Sequence, residues 1–383
     1  MNYDVAVIGG GASGLACAVR LTEKSELKIV VIDAGERLGK KLSATGNGQG
    51  NISNTDLSPE HYFGGGAYLA QKIACNDPYA CTRLFDCILT ADEKGRIYPA
   101  GRQASSLSDC LIRKLKGKAD IIQGVKVTDM ERGFKLTLSD GTKLFARFIA
   151  FCVGGKAQKQ YKTDGSSYAL VSRFGHKVTR LFPSLVQVKT QTKYIKSLKG
   201  IRADCNASAV VGGKKIKTVR GDVIFTDYGV SGNAIFSLSP YITDKTDSVI
   251  SLEFLPDVSE EDIVRNFERR KNAGCATGEL LSGSLHNQLG RAVISRAETE
   301  DKIIQTLKNF TLSVEGTLGF DYAQVTRGGI DISGVKDNLE SKFIDNLFFA
   351  GEVLDVDGDC GGYNLQWAFT SGMTVAEEII KRT

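Results

Sequence analysis

The 383-residue sequence contains only three histidines, and its nine cysteines never form a C-x-x-C pair. Because structural zinc sites use Cys and His ligands at short spacings, this composition argues against a metal centre. No apolar run approaches the roughly 18 residues that would suggest a membrane span, and no signal-peptide core is present. The odd cysteine count favours a reducing compartment, so we expect a cytoplasmic protein.

The sequence also lacks a strong charge imbalance, with a formal net charge of +5. Its basic clusters at 113–116 and 214–217 are short and have no interleaved aromatic residues. We interpret them as solvated surface and expect no nucleic-acid or membrane partner. A small-molecule substrate is the expected partner, and the oligomeric state is left open.

Glycines stand at fixed positions near the N-terminus. Gly9, Gly11 and Gly14 form G-x-G-x-x-G directly after a predicted strand, and a predicted helix begins at Ala12. In dinucleotide-binding folds the first glycine permits a tight turn, the second lets a pyrophosphate approach the backbone, and the third permits helix–strand packing. Asp33 ends the next predicted strand, where an acid binds a ribose 2′-hydroxyl. The pattern predicts a dinucleotide site.

The regions that follow favour FAD over NAD. A glycine- and asparagine-rich loop at 39–54 and an alternating apolar–polar stretch at 121–153 replace the repeated βαβ units of an NAD domain. Near the C-terminus a strand ends at Gly351-Glu352, and a helix begins at 361–364 after an acidic loop. We expect that helix N-terminus to face the pyrimidine end of a noncovalently bound flavin.

The predicted fold class is α/β, with a Rossmann-like FAD-binding domain of glutathione-reductase type. Its βαβ unit and antiparallel meander are interrupted by a small β-domain and a helical domain. The predicted segments are the first part of the FAD domain (1–183), a β-rich substrate-facing domain (184–255), a small helical domain (256–310), a return strand of the β-domain (311–324) and the second part of the FAD domain (325–383).

Several motifs together resemble the BaiN/YhiN-like family of FAD-dependent flavoproteins, which includes aminoacetone-oxidase-type enzymes. They include KLSATGNGQGNISN at 41–54, FTDYGVSGNAI at 225–235 and FAGEVLDVDGDCGGYNLQWAFTSG at 349–372. The resemblance covers nearly the whole chain and implies the domain order given above. Two departures stand out: Gln49-Gly50 replaces the family's Arg-Cys, and Asn233 replaces a proline.

The resemblance implies a set of residues that contact the flavin dinucleotide. They are Gly9, Gly11, Ala12, Ser13, Gly14, Asp33, Lys41, Thr45, Gly46, Asn47, Gly48, Val127, Gly155, Gly351, Glu352, Asp359, Gly362, Asn364 and Leu365. Among them, Val127 is expected to act through its backbone near the adenine, and Lys41 to meet a phosphate.

Catalytic residues are not identified by any motif, since the flavin supplies the hydride chemistry. Tyr98, Tyr228 and Arg327 lie in family motifs and are candidates for substrate binding or proton donation. The three histidines are expected to be structural, and Cys360 is expected to be a small packing residue.

We therefore expect an FAD-dependent oxidoreductase that transfers a hydride through flavin N5 to or from a small organic substrate. No second G-x-G-x-x-G precedes a helix, so we expect no NAD(P) domain, and either a transiently bound nicotinamide or an organic substrate reduces the flavin. The family resemblance favours diffusible NAD(P)H as the donor. The alternatives are an oxygen-using oxidase of an amine or amino acid, and a flavoprotein with a nucleic-acid-related or regulatory role.

Overall fold

The computed structural model describes residues 1–77 and 79–383. The chain divides into two compact units. The first unit consists of Met1–Phe182 and Val325–Thr383, and the second consists of Pro183–Gln324.

The strands are β1 Asn2–Ile8, β2 Ile29–Asp33, β3 Ser53–Asn54, β4 Tyr62–Phe63, β5 Leu89–Ala91, β6 Arg96–Pro99, β7 Asp120–Gln123, β8 Val127–Met130, β9 Lys135–Leu138, β10 Lys143–Phe151, β11 Phe182–Ser184, β12 Val188–Thr190, β13 Arg202–Val211, β14 Lys214–Phe225, β15 Gly229–Ser231, β16 Ser248–Phe254, β17 Phe310–Thr317, β18 Val325–Arg327, β19 Leu347–Phe349 and β20 Asp357–Gly358. The helices are α1 Ala12–Lys24, α2 Ala67–Ala74, α3 Ala104–Leu115, α4 Tyr168–Ser172, α5 Asn233–Leu238, α6 Glu260–Asn272, α7 Asn287–Ala297, α8 Ile303–Lys308 and α9 Tyr363–Ile380.

The main sheet of the first unit has the strand order β7-β2-β1-β10-β9-β8, and β19 also pairs with β10. The pairs β7–β2, β2–β1, β1–β10 and β10–β19 are parallel, whereas β10–β9 and β9–β8 are antiparallel. This combination of a parallel sheet with an antiparallel meander confirms the predicted fold class. The sequence pattern showed β10 only as a meander strand, but it also pairs in parallel with strands from both ends of the chain.

Close helix packing covers this sheet, and glycines make it possible. A Cβ on Gly14 would lie 1.8 Å from the Gly9 carbonyl oxygen, and one on Gly372 would lie 2.2 Å from the Ser13 carbonyl oxygen. Helices α1 and α9 can therefore approach each other and β1 more closely than larger residues would permit. The fully buried Leu15 and Phe369 are part of the core that results.

The second unit is a closed antiparallel barrel with the strand order β12-β15-β14-β13-β16-β17. Helices α6, α7 and α8 lie between β16 and β17 in the chain. The Ser259 hydroxyl caps α6 by accepting a hydrogen bond from the Asp262 N–H at 3.1 Å. Phe267 of α6 and Leu289 of α7 belong to the same apolar core as Phe254 of the barrel. The five-segment domain division remains a prediction.

Within residues 1–77 and 79–383, no helix combines the length and the apolar character that crossing a bilayer requires.

Candidate functional site

The glycine turn between β1 and α1 contains two kinds of glycine. Gly9 has a positive φ of 102°, and a Cβ there would lie 2.3 Å from the Cys152 carbonyl oxygen, so the fold itself requires glycine. Gly11 has an ordinary φ of −80°, and a Cβ there would meet no protein atom within 4 Å. Neither packing nor backbone conformation demands a glycine at position 11. The open space beside it suits a ligand that approaches the backbone.

The N-terminus of α1 begins at this open space. No side chain caps the helix at Gly11. The first N–H groups of a helix have no intrahelical acceptor, and the helix dipole places a partial positive charge there. A helix N-terminus that has no side-chain cap and lies beside a glycine bordering open space is suited to bind phosphate.

Asp33 lies at the end of β2, next to the glycine turn. Its two carboxylate oxygens accept hydrogen bonds from the N–H groups of Gly10 and Gly35, each at 2.6 Å. Burial raises the pKa of Asp33, and these backbone hydrogen bonds counteract that effect. The carboxylate therefore helps to hold the turn in place, and its predicted contact with a ribose remains a prediction.

Glu352 connects three segments of the first unit. One of its oxygens lies 3.0 Å from Lys41 Nζ, and the other accepts the Thr326 N–H at 2.8 Å. A Cβ on Gly155 would lie 2.8 Å from Glu352 Oε1, so only glycine fits beside the carboxylate without a shift. The Lys41 ammonium, expected at a phosphate, is paired with Glu352 in this structure.

The loop at residues 45–48 follows a short 3₁₀ turn at Leu42–Ala44. The Thr45 hydroxyl donates to the Leu42 carbonyl at 2.7 Å, and Gly46, Asn47 and Gly48 all have positive φ angles, of 57°, 54° and 82°. A Cβ on Gly48 would meet nothing within 4 Å. Like Gly11, Gly48 therefore borders open space.

The N-terminus of α9 also has no side-chain cap. Gly362 precedes it with a φ of 103°, and a Cβ there would lie 2.3 Å from the Ser53 carbonyl oxygen. The Asn364 side chain accepts from the Gly358 N–H at 2.9 Å and donates to the Gly358 carbonyl at 2.8 Å. Because that side chain holds the preceding loop, a ligand contact by Asn364 would fall to its backbone N–H.

The acidic loop at residues 355–359, before α9, makes side-chain contacts that the sequence did not reveal. Alternate acids bind three different segments: Asp355 accepts the Gly65 N–H at 3.1 Å, Asp357 pairs with Arg327 Nε at 3.2 Å, and Asp359 lies 3.0 Å from His61 Nδ1. All three acids are buried. The only hint in the sequence was the D-x-D-x-D alternation, which does not identify the partners.

The three candidate catalytic residues are divided between the units. Tyr98 in β6 is buried, its pKa is raised by burial, and the Arg102 guanidinium lies 3.9 Å from its ring centroid. Arg327 lies 4.9 Å from the Phe63 ring centroid in addition to its pairing with Asp357. Tyr228 belongs to the second unit, and its pKa is also raised by burial.

The remaining predicted contact residues lie on the elements described. Ala12 and Ser13 form the first turn of α1, Leu365 lies in the first turn of α9, and Val127 is buried at the start of β8. A Cβ on Gly351 would lie 2.6 Å from Ser13 Oγ, so the turn after β19 closely approaches α1 at that point.

These observations fit a flavin dinucleotide. The N-termini of α1 and α9 have no side-chain cap, Gly11 and Gly48 border open space, and Asp33 ends the second strand. The first helix is suited to a pyrophosphate and Asp33 to a ribose, while the second helix is suited to the anionic side of a flavin. The fold and this site define the class of FAD-binding oxidoreductases.

The chain belongs to the HI0933-like family, because the family model described as "HI0933-like protein Rossmann domain" matches residues 3–378. It is 31% identical to a 3-dehydro-bile acid delta(4,6)-reductase of Clostridium scindens, over 99% of each chain. It is 26% identical to a ribosomal RNA dihydrouridine synthase of Escherichia coli, over 99% of this chain and 98% of the relative. The family assignment confirms the resemblance noted from the sequence.

Solved structures share the fold at low sequence identity. The 3-ketosteroid-delta4-(5alpha)-dehydrogenase of Rhodococcus jostii aligns with a TM-score of 0.52 and 14% identity, covering 99% of this chain and 97% of that one. The 3-ketosteroid delta1-dehydrogenase of Sterolibacterium denitrificans aligns with a TM-score of 0.50 and 12% identity over 100% of both chains. The protein is thus an FAD-dependent oxidoreductase by family and fold.

Proposed function

We propose that this protein is a reductase that delivers a hydride from FAD to a carbon–carbon double bond conjugated with a carbonyl group. We further propose that diffusible NADH or NADPH supplies the electrons. The observation that carries the proposal is the match at 31% identity, over 99% of both chains, to a protein named as a reductase.

The names of two full-length relatives support the substrate class. The name 3-dehydro-bile acid delta(4,6)-reductase describes reduction of double bonds at positions 4 and 6 of a molecule that is oxidised at position 3. A dihydrouridine synthase saturates a double bond of a uracil ring. Both names describe reduction beside a carbonyl, although the molecules differ greatly in size.

The second unit supports a diffusible donor. It is a closed antiparallel barrel with inserted helices, all of whose residues are described, and this architecture differs from the parallel βαβ units that bind nicotinamide dinucleotides. A donor without its own domain has to reach the flavin transiently.

The residues of the first unit have separate roles in this proposal. The bound flavin supplies hydride transfer at N5. The N-terminus of α1 beside Gly11 holds the pyrophosphate, and Asp33 accepts a ribose hydroxyl while keeping the turn in place. The N-terminus of α9 would hold the anionic side of the flavin. Glu352 keeps the Lys41 and Thr326 segments in register around the site.

Saturating a conjugated double bond also requires a proton at the second carbon. Tyr98, Tyr228 and Arg327 are the candidates to donate it or to orient the carbonyl oxygen. Burial raises the pKa of both tyrosines, so each hydroxyl keeps its proton at neutral pH. Substituting phenylalanine for either tyrosine tests that role. If the tyrosine acts in this way, turnover should fall while the flavin content stays unchanged.

The decisive experiment is anaerobic reduction of the purified yellow protein by NADH and by NADPH, followed by addition of candidate acceptors. We expect one nucleotide to bleach the flavin and a cyclic enone to restore its colour without oxygen. If neither nucleotide bleaches the flavin but an amine or amino acid does, and air restores it, the protein is an oxidase instead.

A ribosomal RNA substrate is the second candidate, supported by the relative named as a dihydrouridine synthase. Lys214 and Lys215 are exposed at the start of β14, beside the β13–β14 turn, where they could contact a phosphate backbone. An RNA fragment containing uridine is therefore included among the acceptors. Under this alternative, replacing both lysines by glutamate would slow reoxidation by RNA and leave reoxidation by an enone unchanged.

A further inference from the structure

His61 lies between two carboxylates of the first unit. Its Nδ1 is 3.0 Å from Asp359 Oδ2, and its Nε2 is 3.2 Å from Asp56 Oδ2. The imidazole also stacks on Tyr363, with ring centroids 4.3 Å apart and an interplanar angle of 20°. The His61 side chain is only 18% exposed and that of Asp359 11%, so this contact is shielded from water, whereas the Asp56 side chain is 60% exposed.

This geometry selects a protonation state. An ionised carboxylate can only accept hydrogen bonds, and neutral imidazole has one N–H. With one proton, the second nitrogen would direct a lone pair at a carboxylate oxygen. Only the imidazolium donates to Asp359 and Asp56 at the same time. Consistent with this, the hydrogen bond to Asp359 raises the pKa of His61 against the effect of burial, and Asp56 raises it further.

The segment that His61 holds leads directly into α9. The His61 carbonyl accepts the Asp359 N–H at 2.9 Å, and β4 pairs with β20 just beyond it. Tyr363, beneath the imidazole, is the first residue of the helix. Deprotonation of His61 would remove the positive charge that attracts Asp359 and leave one N–H for two carboxylates. It would thereby loosen the loop at 359–362, which sets the position of the helix N-terminus.

We propose that His61 is a positioning residue that, as an imidazolium, fixes the N-terminus of α9 for FAD and makes cofactor affinity fall as pH rises. This inference rests on the proposed placement of the flavin at α9. The first histidine of the chain is therefore more than a packing residue.

The direction of the pH dependence follows from the raised pKa. A group with a raised pKa in the folded state contributes fully below its unfolded pKa of about 6.5, and that contribution is lost as pH rises through the raised value. The other ionisable groups that face this site are Asp56, Asp359, Glu60, Tyr363 and Cys360. Ser58 lowers the pKa of Asp56 to about 2, and burial raises the pKa of Cys360 and Tyr363, so none of these three changes charge near neutrality.

The test measures FAD affinity by fluorescence titration of the apoprotein between about pH 6 and about pH 9, a range that brackets histidine titration. We expect affinity of the wild-type protein to fall on the order of tenfold across this range, and affinity of His61→Gln to stay nearly flat at the weaker value. His286→Gln is the matched control, because His286 caps α7 in the second unit and its loss should leave the wild-type profile intact.

NMR titration of the three histidines provides a readout independent of the cofactor, with the two glutamine variants assigning His61 and His286. We expect His61 to titrate above the usual range, and Asp56→Asn, at a side chain 60% exposed, to lower its midpoint without unfolding the protein. The proposal is overturned if His61 titrates at or below the usual value, or if wild-type and His61→Gln proteins share one affinity profile. Absence of FAD binding by the wild-type protein would instead contradict the cofactor assignment.

Discussion

The two units bury polar groups of different kinds. The second unit, fully described at residues 183–324, buries only hydroxyl side chains among its polar residues: Ser184, Thr190, Ser208, Ser239, Ser248 and Ser251. The first unit also buries four carboxylates, namely Glu340, Asp355, Asp357 and Asp359. All four lie between residues 340 and 359. A hydroxyl needs one partner to be satisfied, whereas a buried carboxylate is costly unless several donors surround it.

The second unit is therefore held together by apolar packing. In the first unit, by contrast, the C-terminal segment is also held by the contacts of its buried carboxylates. Each carboxylate binds another segment of the chain, which fixes the loops around the proposed flavin site. The first unit should therefore respond strongly to pH and to single substitutions at these acids, and the barrel should respond weakly.

The largest effect is expected for Gly11→Val. Since a Cβ at this position would meet no protein atom within 4 Å, the variant should fold and yet lose FAD completely through collision with the pyrophosphate. Absorbance of the purified protein measures flavin content, and circular dichroism checks the fold. As a control, Gly14→Val should fail to fold, because its Cβ would lie 1.8 Å from the Gly9 carbonyl oxygen. A folded yellow Gly11→Val protein would refute the assigned site.

The next effect concerns stability and is expected at Glu340. This carboxylate accepts from Arg382 Nη2 at 2.9 Å, Lys336 Nζ at 2.8 Å and the Asn346 N–H at 3.0 Å. Glu340→Gln should lower the free energy of unfolding by about 2 kcal/mol at neutral pH, since hydrogen bonds to charged groups are worth about 1.5–3 kcal/mol. Urea unfolding measures the difference.

The effect of Glu340→Gln on the free energy of unfolding should also depend on pH. Burial raises the pKa of Glu340, but the hydrogen bonds from Arg382 and Lys336 prevail and lower it to about 2. Its stabilisation is therefore present above the unfolded pKa of about 4.3 and is lost as pH falls towards 2. The stability gap between wild-type and variant proteins should close in this window. A gap that persists at about pH 2 would show that Glu340 acts through packing.

A smaller effect, on cofactor affinity, is expected for Glu352→Ala. The variant should fold and bind FAD about tenfold more weakly, because the Lys41 and Thr326 segments lose their shared anchor. Lys41→Met serves as the matched variant that removes only the ion pair. Unchanged affinity in titration would assign Glu352 to loop structure alone.

The smallest effect is expected in the barrel, for Asp204→Asn. Asp204 pairs with Arg220 at 2.7 Å, but its side chain is 58% exposed and that of Arg220 is 40% exposed. Exposed pairs contribute about 0–1 kcal/mol, so the free energy of unfolding should change by less than about 0.5 kcal/mol. A loss as large as that at Glu340 would abolish the distinction between the two units.

The sequence predicted the parts of the site that depend on local pattern. Gly9, Gly11, Gly14 and Asp33 lie within one βαβ unit, where spacing and neighbouring hydrophobic runs determine their positions. The cap of α6 by Ser259 was predictable for the same reason.

The contacts that lie outside such local patterns were not predictable. Asp359 contacts His61, which is 298 positions away in the sequence, and Asp355 contacts Gly65, which is 290 positions away. No spacing rule connects residues so far apart, because their meeting depends on the fold of everything between them. The hydrogen bonding of the Asn364 side chain to Gly358 was not predicted, because the motif suggested only a ligand contact.

The division of the first unit between the two ends of the chain has a consequence for biosynthesis. During translation β10 cannot pair with β19, and α1 cannot pack against α9, until the C-terminal residues have been synthesised. Every strand of the barrel, by contrast, has been made once residue 324 has emerged. Domains generally fold as units when their residues are available. We therefore expect a ribosome-bound nascent chain arrested soon after residue 324 has emerged from the ribosome to contain a protease-resistant barrel but to retain no FAD. Flavin capture would then mark the completed polypeptide, and flavin retained on the arrested chain would disprove this order.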